Sequence, residues 1–183
     1  ISALLLIAPS LPKGLALELE GVITSMPYIK MTLALLGQID VTTLFEQNTI
    51  HISPKEVVKD TKIVVESDWS SASYFYSLIA LSNDSRVTLT SYSAESLQGD
   101  AALCDIYKDL GVDTVFNASE TAITLSKSGE NISNFLSLNL SNTPDIAQTI
   151  AVTCFGLGIG CKLTGLHTLK IKETDRLSAL KRE

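Results

Sequence analysis

An internal repeat constrains the fold of this chain more than any other feature of the sequence. Three stretches align at a spacing of about 72 to 75 residues, and each contains an apolar helix, a strand, a polar loop and a second, amphipathic helix. The three stretches are Ile1–Gly37, Ser70–Gly111 and Pro144–Glu183. Strands that alternate with helices in this order predict mixed sheets covered by helices, which is an α/β or α+β layered fold.

Pairs of short strands complete the repeat. The predicted pairs are Val41–Phe45 with Thr49–Ser53, and Thr114–Phe116 with Thr121–Ser126. A further strand is predicted to lead into the next unit at Lys62–Val65 and again at Phe135–Leu140. The unit is therefore β-α-β-α-β-β in cyclic order. Both helices before the strand pairs end in Leu-Gly, so Gly37 and Gly111 are predicted to close them in the left-handed conformation.

Composition limits the kinds of partner. Of the 183 residues, 45% are hydrophobic, which is enough for a sizeable core, and the net charge of −6 argues against a nucleic-acid groove or a polybasic membrane surface. The longest apolar runs, Ala3–Ala8 and Ile150–Ile159, are shorter than the roughly 18 residues of a membrane span. Three cysteines and two histidines without paired spacing predict neither a disulfide framework nor a structural metal site. A reducing, cytoplasmic compartment is expected.

The two ends of the sequence suggest a piece of a longer protein. The chain begins at Ile1 in an apolar, helix-like run without a starting methionine, and it stops at Glu183 in a charged run typical of the middle of a helix. We therefore expect a chain that is truncated at both ends.

The segment Lys172–Arg176, with the sequence Lys-Glu-Thr-Asp-Arg, is the sharpest local signal. In one interpretation it is the start of a helix, with Thr174 as the cap and the acids complementing the helix dipole. In the other, Lys172 and Arg176 lie four residues apart beside Glu173, so a short stretch offers two cations and a carboxylate able to transfer a proton. That combination suits a reaction on an anionic substrate.

Other polar segments also precede helices and allow more than one interpretation. Thr143-Pro144-Asp145 fits a cap, a first-turn proline and a first-turn acid, or a catalytic carboxylate. Ser25 to Tyr28 fits a helix entry capped by Ser25, or two hydroxyls that hold a phosphate or a sugar-like ring. The segments Asp68–Ser73 and Ser96–Asp100 are predicted to have structural roles, as a helix start and a turn.

Together these segments resemble the 5-enolpyruvylshikimate-3-phosphate synthase family. The matching segments follow the family's order: Asp68–Phe75, Leu97–Asp100, Pro144–Ala151 and Ile171–Leu177. The resemblance implies a two-domain enolpyruvyl transferase-like fold of repeated β-α-β-α-β-β units. It places residues 1–65 in part of one domain and residues 66–183 in part of the second, with the polar segment Pro54–Asp60 near the boundary.

The family resemblance also implies an activity. A transferase of this kind moves the enolpyruvyl (carboxyvinyl) group of phosphoenolpyruvate to the 5-hydroxyl of shikimate 3-phosphate and releases phosphate, in the shikimate pathway of aromatic amino-acid biosynthesis. It needs no cofactor and no metal, its partners are these two small molecules, and at full length it is expected to be a cytoplasmic monomer. The 183-residue chain alone is expected to be inactive because part of the site is absent.

Site residues carry over from the resemblance one by one. In the catalytic group, Asp145 would hold the 5-hydroxyl and act as its general base, Lys172 would bridge that hydroxyl and the enolpyruvyl oxygen, and Glu173 would transfer a proton at the methylene carbon.

The remaining positions would bind substrate. Arg176 would bind the carboxylate of phosphoenolpyruvate, while Ser25 and Tyr28 would contact the 3-phosphate and the ring. The family's shikimate-binding Asn lies four places before the lysine. Here that position is Thr168, whose side chain is shorter.

Three alternatives remain open on the sequence. A UDP-N-acetylglucosamine enolpyruvyl transferase-like enzyme shares the repeat fold, but it has a reactive cysteine loop not found here and lacks the Lys172–Arg176 run. A non-catalytic remnant or binding module could retain the fold without the activity. A repeat-built structural protein would use the polar loops only as helix caps.

Overall fold

The computed structural model describes residues 1–119, 121–129 and 132–183. Its helices are α1 (Ser2–Ile7), α2 (Met26–Gln38), α3 (Trp69–Leu81), α4 (Leu103–Lys108), α5 (Ala147–Leu157) and α6 (Arg176–Arg182). Its strands are β1 (Leu15–Glu18), β2 (Thr43–Glu46), β3 (Thr49–Ile52), β4 (Arg86–Thr90), β5 (Val112–Asn117), β6 (Ala122–Lys127), β7 (Phe135–Asn139) and β8 (Gly160–Thr164). Short 3₁₀ turns lie at Ala8–Ser10, Gly99–Ala102, Pro144–Ile146 and His167–Ile171.

The chain divides into two compact units, Ile1–Val64 and Val65–Glu183, and each has its own apolar core. The buried apolar residues of the first unit are Leu5, Ala8, Leu19, Ile29, Leu36, Val41, Ile50 and Ile52. The largest buried side chains of the second unit are Trp69, Tyr76, Tyr107, Leu103, Leu110, Ile123, Leu125, Leu140, Ile146 and Ile150. Among the described residues, no helix is long and apolar enough to cross a membrane.

The predicted repeat is visible in the register of two antiparallel sheets. The first unit has the strand order β1-β3-β2 and the second has β4-β6-β5. Their central strands carry equivalent residues: Ile50 lies opposite Leu17 and Phe45. About 72 residues further along the chain, Ile123 lies opposite Leu89 and Phe116. Because side chains alternate across a strand, each isoleucine points to the buried face of its sheet.

Two sequence-based predictions about the backbone are wrong. Lys62–Val65 forms no strand, because its backbone has no hydrogen-bonded neighbour among the described residues. A backbone hydrogen bond toward the end of β4 appears only at Ser67, whose N–H donates to the carbonyl of Ser91 at 2.7 Å. Gly37 lies inside α2, which continues to Gln38, and the left-handed conformation falls on Asp40 instead. Gly111 does adopt the predicted positive φ, at 80°.

Helices α3 and α5 pack side by side and are joined by hydroxyl groups. The Oγ of Ser73 lies 2.9 Å from Oγ1 of Thr149, and one turn further along Oγ of Ser77 lies 2.8 Å from Oγ1 of Thr153. Small side chains allow the two helices to approach closely, and each buried hydroxyl is satisfied by its partner. This packing sets the start of α5, and the residues just before it, beside α3.

Candidate active site

Asp145 lies in the 3₁₀ turn Pro144–Ile146, immediately before α5. Proline suits this first helical position because its fixed φ is already helical and it has no N–H to leave unpaired. Pro144 and Ile146 are buried, whereas the Asp145 side chain between them is 32% exposed. The turn therefore anchors its apolar neighbours in the core and directs the carboxylate outward.

Two cations from a distant part of the chain bind the Asp145 carboxylate. Lys172 Nζ lies 3.1 Å from Oδ1 and 3.3 Å from Oδ2, and Arg176 Nη1 lies 3.0 Å from Oδ1. Lys172 directly follows the 3₁₀ turn His167–Ile171, and Arg176 is the first residue of α6. The two residues predicted to carry positive charge in the site thus converge on one carboxylate.

Arg176 also binds Glu173 through two hydrogen bonds. Nε donates to Oε1 at 2.7 Å and Nη2 donates to Oε2 at 2.9 Å, which is the two-point geometry that guanidinium and carboxylate groups favour. The hydrogen bond from Arg176 holds the pKa of Glu173 below its ordinary value, and Glu173 in turn raises the pKa of Arg176. Glu173 is 65% exposed, so its carboxylate remains accessible to a ligand.

Asp175, and not Thr174, caps helix α6. Its Oδ1 accepts a hydrogen bond from the backbone N–H of Ser178 at 3.1 Å, and its Oδ2 accepts one from the Ser178 hydroxyl at 2.8 Å. The two oxygens of the carboxylate each accept one of these bonds. These bonds from Ser178 lower the pKa of Asp175. The cap makes Arg176 the first helical residue, with its side chain toward Asp145 and Glu173.

A groove of about 720 Å³ runs beside this charged cluster, within the second unit. Its lining comes from α3, α5, α6 and the segment before α6: Tyr74, Ser77, Leu78, Asp145, Gln148, Thr149, Val152, Glu173, Thr174, Arg176, Ala179, Leu180 and Glu183. The lining therefore combines charged side chains of this cluster with a surface that is mostly apolar. The two cations can bind an anion, and the two carboxylates beside them can transfer protons to or from it.

The structure brings four of the seven predicted site residues together: Asp145, Lys172, Glu173 and Arg176. Thr168 lies in the 3₁₀ turn that leads to Lys172. Its Oγ1 is buried and has no hydrogen-bond partner among the described residues.

Ser25 and Tyr28 belong to the first unit, at the start of α2. Ser25 occupies the cap position, as predicted for a helix entry, but its side chain forms no capping bond. Its backbone adopts the left-handed conformation, with φ 54° and ψ 35°, which is uncommon for a residue other than glycine.

Several groove residues were not predicted from the sequence. Gln148 and Thr149 follow Asp145 by about one helical turn, so the periodicity of α5 places them on the same side and could have identified them. Gln148 Oε1 is buried without a partner among the described residues. Tyr74 and Ser77 come from α3 and reach the groove only because α3 packs against α5, for which the local sequence gives no signal.

The part of the chain that the structure describes contains no candidate metal site. Within residues 1–119, 121–129 and 132–183, no group of three or more His, Cys, Asp or Glu side chains is arranged to hold a metal ion.

Comparisons with known proteins agree with the motifs and the fold. A model of the family described as EPSP synthase (3-phosphoshikimate 1-carboxyvinyltransferase) matches residues 1–183. A 3-phosphoshikimate 1-carboxyvinyltransferase of Bacteroides fragilis (strain YCH46) is 41% identical over 183 residues, covering 100% of this chain and 44% of the relative. The enzyme of the same name from Neisseria meningitidis serogroup B (strain MC58) is 31% identical, covering 100% of this chain and 42% of the relative.

The solved EPSP synthase of Acinetobacter baumannii superposes with a TM-score of 0.68 at 18% identity, over 97% of this chain and 40% of that one. This match confirms the predicted enolpyruvyl transferase-like α/β fold. The chain spans less than half the length of the relatives it matches. Since the family model matches every position from Ile1 to Glu183, the resemblance carried by the four motifs is confirmed, and the chain belongs to the EPSP synthase family.

Proposed function

We propose that this chain is part of an enzyme that transfers the enolpyruvyl group of phosphoenolpyruvate to the 5-hydroxyl of shikimate 3-phosphate, with release of phosphate. The observation that carries the proposal is the position of Asp145, which lines the groove and is held at 3.1 Å from Lys172 and 3.0 Å from Arg176. The family membership and the names of the relatives support the same reaction.

Asp145 is suited to act as the general base. The reaction forms a bond between the 5-oxygen of one substrate and C2 of the other, so the hydroxyl must lose its proton as that bond forms. A carboxylate that is one-third exposed at the groove can accept this proton, and Lys172 beside it stabilises the negative charge that develops on oxygen.

Glu173 and Arg176 are suited to the other substrate. As the C–O bond forms at C2, a proton must be added at C3; in the second half of the reaction a proton leaves C3, the bond from C2 to the phosphate oxygen breaks, and phosphate departs. Glu173 can donate and then accept that proton. The guanidinium of Arg176 already binds one carboxylate through two nitrogens, the geometry required for the carboxylate of phosphoenolpyruvate.

The first unit would supply further contacts to shikimate 3-phosphate. Ser25 and Tyr28 lie at the start of the 13-residue helix α2, where backbone N–H groups and the helix dipole favour a phosphate, and Thr168 would contact the shikimate ring. The expectations of a cytoplasmic, monomeric protein that uses no cofactor stay predictions from the sequence.

Phosphate release tests the proposal. The assay uses a protein that contains this chain at the full length of its relatives, with both substrates present. Asp145→Asn preserves the shape of the side chain but removes the base, so kcat should fall by about 100-fold or more, whereas Asp84→Asn, in an exposed loop outside the groove lining, should leave kcat unchanged. No turnover by the unsubstituted protein, or full activity of Asp145→Asn, would contradict the proposal. The 183-residue chain alone should show no turnover.

A further inference from the structure

Asp100 is a completely buried carboxylate near the start of α5. Its side chain is 0% exposed, and it accepts two hydrogen bonds from hydroxyls: from Thr143 Oγ1 to Oδ1 at 2.5 Å and from Ser70 Oγ to Oδ2 at 2.7 Å. Among the described residues it forms no ion pair. A buried carboxylate is costly unless it is hydrogen-bonded, so these two hydroxyls matter for its placement.

Two of these residues come from motifs that the proposed reaction does not use, and the third directly precedes the motif that carries Asp145. Asp100 ends the segment Leu97–Asp100, Ser70 belongs to the segment Asp68–Phe75, and Thr143 precedes Pro144. A second link fixes the first two segments to each other. Gln98 Oε1 accepts a hydrogen bond from the backbone N–H of Trp69 at 3.0 Å, and Gln98 Nε2 donates to the carbonyl of Ser67 at 2.8 Å.

Thr143 connects these hydrogen-bonded segments to the proposed base. It occupies the cap position of the turn Pro144–Ile146, yet its hydroxyl caps nothing and donates to Asp100 instead. Thr143 is 5% exposed, and only Pro144, with its fixed φ, separates it from Asp145. The side chain of Thr143 is thus held by Asp100, and its backbone N–H donates to the carbonyl of Leu140 at 3.1 Å, directly before the turn that carries Asp145.

We propose that Asp100 is a positioning residue for Asp145 and acts through the hydroxyl of Thr143. This inference rests on the proposed function, in which Asp145 is the base. Asp100 touches no substrate in this scheme. Its effect is geometric, because a displacement of about 1 Å at a reacting group lowers a rate by as much as about 100-fold.

The test measures kcat and both KM values in the same full-length protein. Thr143→Val removes the hydroxyl but keeps the shape, and kcat should fall by about tenfold or more while each KM changes by less than about threefold. Thr143→Ser restores the hydroxyl and should restore kcat. Asp100→Ala should lower kcat by a similar factor. In the double variant, Thr143→Val with Asp100→Ala, kcat should fall no further than in the more impaired single variant, because both substitutions break the same hydrogen bond.

A matched control separates positioning from stability. Thr114→Val breaks a part-buried pair of hydroxyls, in which Thr114 Oγ1 lies 2.8 Å from Tyr76 Oη, and should lower Tm while kcat stays unchanged. If Asp100→Ala does not fold, the kcat values of Thr143→Val and Thr143→Ser are sufficient to test the inference. A folded Thr143→Val variant with normal kcat would overturn the inference, and so would additive losses in the double variant. An unsubstituted protein without turnover contradicts the proposed function instead, so the two failures are distinguishable.

Discussion

Arg176 binds the carboxylate of Glu173 at two points, with Nε 2.7 Å from Oε1 and Nη2 2.9 Å from Oε2. Its third nitrogen, Nη1, donates to Asp145 at 3.0 Å. All three nitrogens of the guanidinium are therefore engaged by carboxylates of the protein, which uses three of its five N–H donors, and a substrate carboxylate that bound Nε and Nη2 would have to displace Glu173. Displacing Glu173 would also let its pKa rise toward the ordinary value, which suits the proton transfer proposed for it.

The first prediction concerns the pKa of Glu173. Arg176→Gln removes the hydrogen bond that most lowers this pKa, so the pKa should rise toward the ordinary value of a glutamate. Carboxyl-carbon NMR titration of the 183-residue chain measures the change. Asp175 provides a control in the same spectrum, because its pKa is lowered chiefly by Ser178 and should not move. An unchanged Glu173 titration in a folded variant would show that Arg176 does not set the pKa.

The second prediction concerns acid and helix α6. The pKa of Asp175 is lowered in the folded chain, so the stabilisation from its cap is complete above the unfolded-state pKa and is lost as the pH falls through the folded-state pKa. The protection factors of the amides over Arg176–Arg182, which compare each exchange rate with the intrinsic rate at the same pH, should therefore fall in acid. Asp175→Asn keeps a good cap that does not titrate and should remove this pH dependence of the protection factors, while Asp175→Ala should show low protection at every pH. Equal acid sensitivity in the Asn variant would exclude Asp175 as the cause.

Sequence patterns predicted the elements of this fold better than the contacts between them. Hydrophobic periodicity placed helices and hairpin strands within a few residues, since it reflects which face of each element is buried. It wrongly made Lys62–Val65 a strand, because β-branched residues indicate an extended backbone but not a partner strand.

In the candidate site, too, local features were easier to predict than contacts between distant residues. The chemistry suggested by the residue types within Lys172–Arg176 stays a prediction, and the cap was assigned one residue too early because Thr and Asp both favour that position. Lys172 and Asp145 lie 27 residues apart, and only the family resemblance led us to expect them close together. The bond from Thr143 to Asp100 could not be predicted, because it depends on how α3 and the turn before α5 pack together.

The third prediction concerns Thr168, whose buried Oγ1 has no partner among the described residues. Thr168→Val loses no internal hydrogen bond, so the free energy of unfolding should change by less than about 1 kcal/mol. Thr114→Val, which breaks the bond to Tyr76, should cost more than this in the same denaturation experiment. If Thr168 contacts shikimate 3-phosphate, Thr168→Val should raise the KM for that substrate by roughly 3- to 10-fold, and the longer side chain in Thr168→Asn should lower it. Unchanged KM values in both variants would remove Thr168 from the binding site.

The fourth prediction uses the repeat to test whether the two units are stabilised separately. Ile50 and Ile123 are both 0% exposed and hold equivalent positions on the central strands of the two sheets, but they belong to different cores. Either isoleucine-to-alanine change should cost about 2–5 kcal/mol, because it removes buried methyl groups and leaves a cavity. Ile50→Ala should accelerate hydrogen exchange in β1, β2 and β3 and leave β4, β5 and β6 protected, and Ile123→Ala should do the reverse. If either change loosened both sheets equally, the units would unfold as one cooperative structure, and the division of the chain near residue 65 would have no energetic meaning.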